Sequence, residues 1–239
     1  MGFENSKSKE NSKPKENLRS KIFSEIFGTA ILLATIVGSG IMGERLSQGN
    51  AAIALLANSI ATGAILITLI ITLGPISGSH FNPLVTVLCG IEEKWKFSKI
   101  AAYISAQFFG AILGVGIANI MFDLPVLFPS QHIRSGFPLF FSEVIATFGL
   151  LSIIKICSKT KPNFIPFVVS AYIVAAYWFT ASTSFANPAV TFARSLSDTF
   201  AGIRLWDVPL FILAQAIGAA ATFLITDNLI ELKPGHKND

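Results

Sequence analysis

His80-Phe81-Asn82-Pro83-Leu84-Val85-Thr86-Val87 and Phe185-Ala186-Asn187-Pro188-Ala189-Val190-Thr191-Phe192 are the two stretches on which the reading of this 239-residue chain turns. Each sets Asn-Pro in a loop between apolar segments. An Asn side-chain oxygen caps a helix by accepting backbone N–H bonds, and Pro suits the first helical position. Each stretch therefore predicts a short helix that starts at its Pro. The surrounding sequence decides where those starts lie.

That surrounding sequence is 52% hydrophobic and only 13% charged, against about 25% charged residues in an ordinary soluble domain. No Asp, Glu, Lys or Arg lies between Leu46 and Ile91, Ile100 and Phe122, Pro162 and Ala193, or Val208 and Thr226. A spanning helix needs roughly 20 apolar residues, so these blocks read as membrane segments, and the lipid bilayer is the solvent. Residues 1–20, rich in Lys, Glu, Ser and Asn, read as a disordered cytoplasmic tail rather than a signal peptide. Residues 21–227 form the membrane domain and 228–239 a second cytoplasmic tail. With six spans and both ends inside, Lys7, Lys9, Lys13, Lys15, Arg19, Lys21, Lys94, Lys96, Lys99, Lys155, Lys159, Lys161, Lys233 and Lys237 all fall on the cytoplasmic side. Arg45, Arg134, Arg194 and Arg204 fall on the other. That asymmetry sets the orientation. The net charge of +4 reads as a topology signal beside anionic lipid, with no nucleic acid as partner. Cys89 and Cys157 sit in apolar sequence without metal-ligand spacing, so no metal and no cofactor are expected.

Helices are expected at Lys21 to Gly43, Ala51 to Leu73, Ser98 to Phe122, Pro138 to Cys157, Phe164 to Ala181 and Val208 to Asp227. Between Leu46 and Ile91 the chain is too long for one crossing and carries Gly74-Pro75 and Ser77-Gly78 in its middle. A span followed by a half-helix from Pro83 to Gly90 accounts for that length, and a second half-helix starts at Pro188. The halves repeat. Ser24-Glu25 answers Ser142-Glu143, Asn82 answers Asn187, and Ala106-Gln107 with Gly110 answers Ala214-Gln215 with Gly218. Three spans per copy force the second copy to insert inverted. The fold class is thus an all-α membrane protein: six transmembrane helices and two re-entrant half-helices in an inverted three-helix repeat.

Such half-helices direct their N-terminal partial positive charge at the membrane midplane. Asn82 and Asn187 cap them and keep NH₂ groups for a lumen, where cations and protons are repelled and neutral hydroxylated molecules can accept hydrogen bonds. Glu25 and Glu143, acids inside apolar sequence, read as functional or structural anchors; a proton-coupling carboxylate of a secondary transporter is the competing role. His80 is either a pore-lining polar group or a satisfied loop histidine. Small residues such as Gly110 and Gly114 let helices approach closely.

On the paired Asn-Pro stretches and the Ser-Glu helices, the chain resembles the aquaporin and aquaglyceroporin family (major intrinsic proteins) from Ser24 to about Leu229. The resemblance implies the aquaporin fold, a passive channel rather than an enzyme, a homotetramer with one pore per protomer, and a bacterial inner membrane. It also implies a central constriction at Asn82, Pro83, Leu84, Asn187, Pro188 and Ala189. Its selectivity filter falls twenty positions before the first Asn, and twelve before, three before and three after the second: Thr62, Ala175, Ser184 and Val190. The family keeps an Arg at the last of these, with aromatics nearby. Here neither is present, so the resemblance implies a wide opening for small uncharged solutes: arsenite as its trihydroxide, methylated arsenic species, glycerol or urea, with water alongside. An orthodox water or ammonia channel, a proton-coupled transporter and a non-conducting structural role are the alternatives. The run from Val190 to Ile203 is similar to that of a bacterial subfamily associated with arsenic resistance, which also carries Val there. Leu84 replaces the family's Ala and reads as a packing adjustment. Arg194, one turn beyond Val190, reads as a local pair with Asp198, with the outer vestibule as the alternative.

Overall fold

A computed structural model of the protein describes residues 17–231, with side chains through Thr226. The lysines expected at positions 7, 9, 13, 15, 233 and 237, and most of both tails, lie outside the described residues. The long helices are α1 (Leu18–Leu46), α2 (Ala51–Ser77), α4 (Phe97–Met121), α5 (Phe137–Thr160), α6 (Ile165–Phe179) and α8 (Val208–Glu231). Among the described residues, six helical segments are long and apolar enough to cross a membrane. Two shorter helices, α3 (Pro83–Glu92) and α7 (Pro188–Arg194), begin at the Pro of each Asn-Pro pair.

Most helix ends fall within three residues of the sequence expectation. The largest extensions are at α2 and the C-terminus of α8. Gly74-Pro75 does not stop α2, because a Pro so near the C-terminal end disrupts little of the ladder behind it. The helix ends instead where Gly78 adopts a left-handed φ of 92°.

In each half, the first helix packs on the second and third long helices or their equivalents: α1 on α2 and α4, α5 on α6 and α8. The seam between halves is α2 against α6. Close approach follows from glycine. A Cβ on Gly110 would collide with the Ile26 carbonyl of α1, and one on Gly218 with the Val144 carbonyl of α5. The paired glycines thus serve helix contact within the chain.

The burial pattern is that of a protein whose solvent is lipid. Phe27, Ile60, Phe109, Phe141 and Trp178 are exposed, while Ser24, Glu25, Thr86, Gln107, Glu143, Thr191 and Gln215 are buried. The half-helices lie inside this shell, α3 against α4 and α8, α7 against α4 and α8. At the far end of α3, the buried Lys155 of α5 holds Glu92 at 3.5 Å. A cation there complements the partial negative charge of a helix C-terminus.

Candidate functional site

The two re-entrant loops are built by the same hydrogen bonds used twice. Asn82 Oδ1 accepts from Leu84 N at 3.0 Å; Asn187 Oδ1 accepts from Ala189 N at 3.0 Å and Val190 N at 3.3 Å. Each Asn then reaches across the midplane. Asn82 Nδ2 donates to the Ala186 carbonyl and Asn187 Nδ2 to the Phe81 carbonyl, both at 2.8 Å. One N–H of each amide is therefore committed to the opposite loop, and one is left for the lumen. Free NH₂ groups were expected, and the cross-links halve that donor capacity.

The residues before each Asn, Phe81 and Ala186, have φ of 48° and 47°. A left-handed backbone costs a residue with a Cβ roughly 1–2 kcal/mol. It persists because both neighbouring N–H groups are held. Glu25 accepts from His80 N at 3.0 Å and Phe81 N at 2.8 Å, and also from Ser77 Oγ and Gln107 Nε2. Glu143 accepts from Phe185 N and Ala186 N, each at 2.9 Å, and from Gln215 Nε2 at 2.6 Å. Gln107 and Gln215 continue the chain to Thr86 and Thr191 on the half-helices, each at 2.8 Å. Every carboxylate oxygen is occupied by donors, which is the arrangement of an anchor.

Between the loops and the helices runs a cavity of about 270 Å³. A mostly apolar part of its lining is made by residues four apart: Thr62, Leu66 and Ile70 on α2; Leu150, Ile154 and Ser158 on α5; Ile165, Val169, Ile173 and Tyr177 on α6. Four-residue spacing keeps side chains on one helix face, and the α6 stripe alone covers about 18 Å at 1.5 Å per residue. The other lining residues include Gly78 to Asn82, Ser184, Phe185, Asn187 and Val190. Cys89, Glu93 and Ser158 lie at one end, Tyr177 and Arg194 at the other.

Of the expected filter residues, Thr62, Ser184 and Val190 line this cavity and Ala175 does not. Ala175 is exposed on the outer face of α6. It is two residues from both Ile173 and Tyr177, about half a turn round the helix from the lining stripe. Tyr177 takes that place, its hydroxyl 3.2 Å from Thr62 Oγ1, so an aromatic is present after all. Pro83, Pro188 and Ala189 are buried in the half-helices without reaching the cavity wall. Leu84 packs with Val85, Leu88, Leu151 and Ala219, away from the cavity. His80 lines it and is also partnered: Nδ1 lies 3.1 Å from Thr86 Oγ1 and the ring stacks 5.5 Å from Trp95.

Arg194 departs furthest from the sequence reading. It is 2% exposed, lines the cavity, and lies with its guanidinium carbon 3.5 Å from the centre of the Phe185 ring. No pair with Asp198 forms. Helix α7 ends at Arg194, so the spacing to Asp198 is no longer helical, and Asp198 accepts instead from Gln131 N at 2.8 Å. Arg194 Nε donates to the Ala201 carbonyl. Outside the membrane spans, Arg134 also approaches Phe185, at 5.1 Å, and burial pulls its pKa down to about 10.

Among the described residues no group of three or more His, Cys, Asp or Glu has the geometry to hold a metal ion. The sequence reading missed Tyr177 and Phe185 as wall residues. For Tyr177 the signal was present, since Ile165, Val169, Ile173 and Tyr177 share one four-residue period.

The chain matches the family model described as major intrinsic protein over residues 11–165. It is 45% identical over 214 residues to the aquaglyceroporin AqpS of Rhizobium meliloti (strain 1021), covering 90% of this chain and 91% of that one. It is 29% identical over 237 residues to aquaporin AqpM of Methanothermobacter marburgensis, covering 87% of this chain and 96% of that one. Among solved structures it is similar to the aquaglyceroporin from Plasmodium falciparum, with a TM-score of 0.64 over 90% of this chain and 97% of that one. At 20% identity that likeness shows the fold.

Proposed function

Because this chain belongs to the major intrinsic protein family, we propose that its cavity is the conduction path for small uncharged solutes rich in oxygen: glycerol, urea-like molecules, and arsenite or methylated arsenic species in neutral form. The protein is a passive membrane channel and not an enzyme. The carrying observation is that polar residues of both re-entrant loops, Ser79, His80, Asn82, Ser184 and Asn187, line one cavity together with a row of mostly apolar side chains. Ser79, His80, Ser184 and Phe185 line it, and among the described residues no protein donor takes their backbone carbonyls. A solute that gives hydrogen bonds to these carbonyls and takes them from Asn82 and Asn187 replaces its hydration shell as it moves. A cation meets two helix N-termini with Asn donors at the midplane and is repelled.

The relative named an aquaglyceroporin supports a solute larger than water. Val190 in place of the family's filter Arg supports it too, because a side chain without a charge leaves the wall open at that point. The further expectations are a homotetramer, a bacterial inner membrane, and both termini in the cytoplasm. The exposed apolar faces of the helices are compatible with either lipid or neighbouring protomers around one pore each. Purified protein in proteoliposomes tests the reading by stopped-flow light scattering. Glycerol, urea and arsenite should each enter faster than through protein-free vesicles, as expected of a pore that replaces hydration. Water permeability without any solute permeability would favour the orthodox water channel instead.

A further inference from the structure

Counting from Asn187 places an uncharged Val190 where the family carries its guanidinium, yet a guanidinium still reaches the cavity. It comes from Arg194, one turn along α7. Two contacts and its burial decide its pose. The Phe185 ring supports its face, Ala201 accepts its Nε, and burial removes it from bulk water. Its two terminal amino groups have no protein acceptor among the described residues, and no carboxylate of those residues lies within ion-pair distance of it. A buried guanidinium without an anion is unfavourable unless something else supplies oxygen. Arg194 lines the cavity, and so does Ser184. Ser184 is 3% exposed, lines the cavity, and its hydroxyl has no hydrogen-bond partner. Tyr177 and Thr62 close the other side through their shared hydrogen bond.

We propose that Arg194, laid on Phe185, is the specificity-determining group of the outer constriction, donating with Ser184 to the oxygens of neutral polyols and trihydroxides and excluding small cations. The assignment rests on the proposed conduction path and adds to it the residue that selects at its mouth. Its position explains how the opening beside Val190 can be wide and still carry a fixed charge. A guanidinium offers planar paired donors, which suits a solute with adjacent hydroxyls better than a single point charge does.

The test compares the parent with Arg194→Met and Arg194→Lys in proteoliposomes at equal channel density. Glycerol entry and methylammonium entry are measured on the same vesicles. The ratio of glycerol to methylammonium permeability should fall at least about tenfold in Arg194→Met, the scale of one charge-assisted hydrogen bond. Arg194→Lys keeps the charge, so it should exclude methylammonium while losing part of its glycerol flux. Should Arg194→Met fail to fold, Phe185→Leu removes the support beneath the guanidinium and should lower the ratio in the same direction. An unchanged ratio in the folded variants, with the parent conducting glycerol, overturns the role of Arg194 and leaves the conduction path standing. A parent that conducts no polyol overturns the path itself, and this assignment with it.

Discussion

Val190→Arg lowers the flux of glycerol and arsenite by about tenfold or more, while water permeability falls less, because a charged side chain in a narrow lumen restricts large solutes first. Val190 is 4% exposed, lines the cavity and sits one turn from Arg194 on α7. The substitution adds several heavy atoms to the lumen and a guanidinium that stays charged at any working pH. It also sets two cations close together with no carboxylate of the described residues in ion-pair contact with Arg194, so the two side chains repel and spread across the opening. Thr62 and Ser184 remain small, which keeps a path for water. Swelling rates for each solute in vesicles of equal channel density check this. Equal loss for water and glycerol, or none for either, would place selectivity away from Val190.

The other large effect is expected at Glu143. Its two oxygens hold Phe185 N and Ala186 N separately, and Ala186 is the residue held in a left-handed backbone. Glu143→Gln turns one acceptor into a donor, so one buried N–H faces an NH₂ group. Leaving such a group unsatisfied costs about 1–3 kcal/mol, and the Gln215 contact at the same oxygen is lost or inverted. Folded channel should melt earlier, and flux per folded channel should drop as the Asn187 loop loosens. Glu25→Gln should do the same in the other half. If Glu143→Gln kept full flux and stability but lost a response to proton gradients, the carboxylate would be a proton carrier and not an anchor.

Much of this was legible in the sequence because its strongest signals are local. Asn82-Pro83 and Asn187-Pro188 start helices by cap geometry alone, and α3 and α7 begin at those prolines. The charge-free blocks locate the spans, since length and hydropathy suffice for that. What was not legible depends on rotation and on loop return. Ala175 was placed on the wall by counting back from Asn187 through a loop of left-handed residues, and that count does not conserve helical phase. The four-residue period of α6 does conserve it, and it points to Tyr177. Arg194 was read from an i+4 spacing to Asp198 that requires the helix to continue. The chain leaves α7 at Ser195, and the tertiary return through Ala201 decides where the guanidinium goes. The committed N–H of each Asn is likewise a contact between distant loops that no local pattern encodes.

Passive conduction of a neutral solute through the cavity between the re-entrant loops and α2, α5 and α6 is the central claim. It is tested most directly by glycerol flux into proteoliposomes with and without an imposed proton gradient. The account predicts initial rates that scale linearly with the glycerol gradient, are the same under either proton condition, and end at equal concentrations inside and out. Glycerol accumulation above the external concentration, driven by protons, would contradict it.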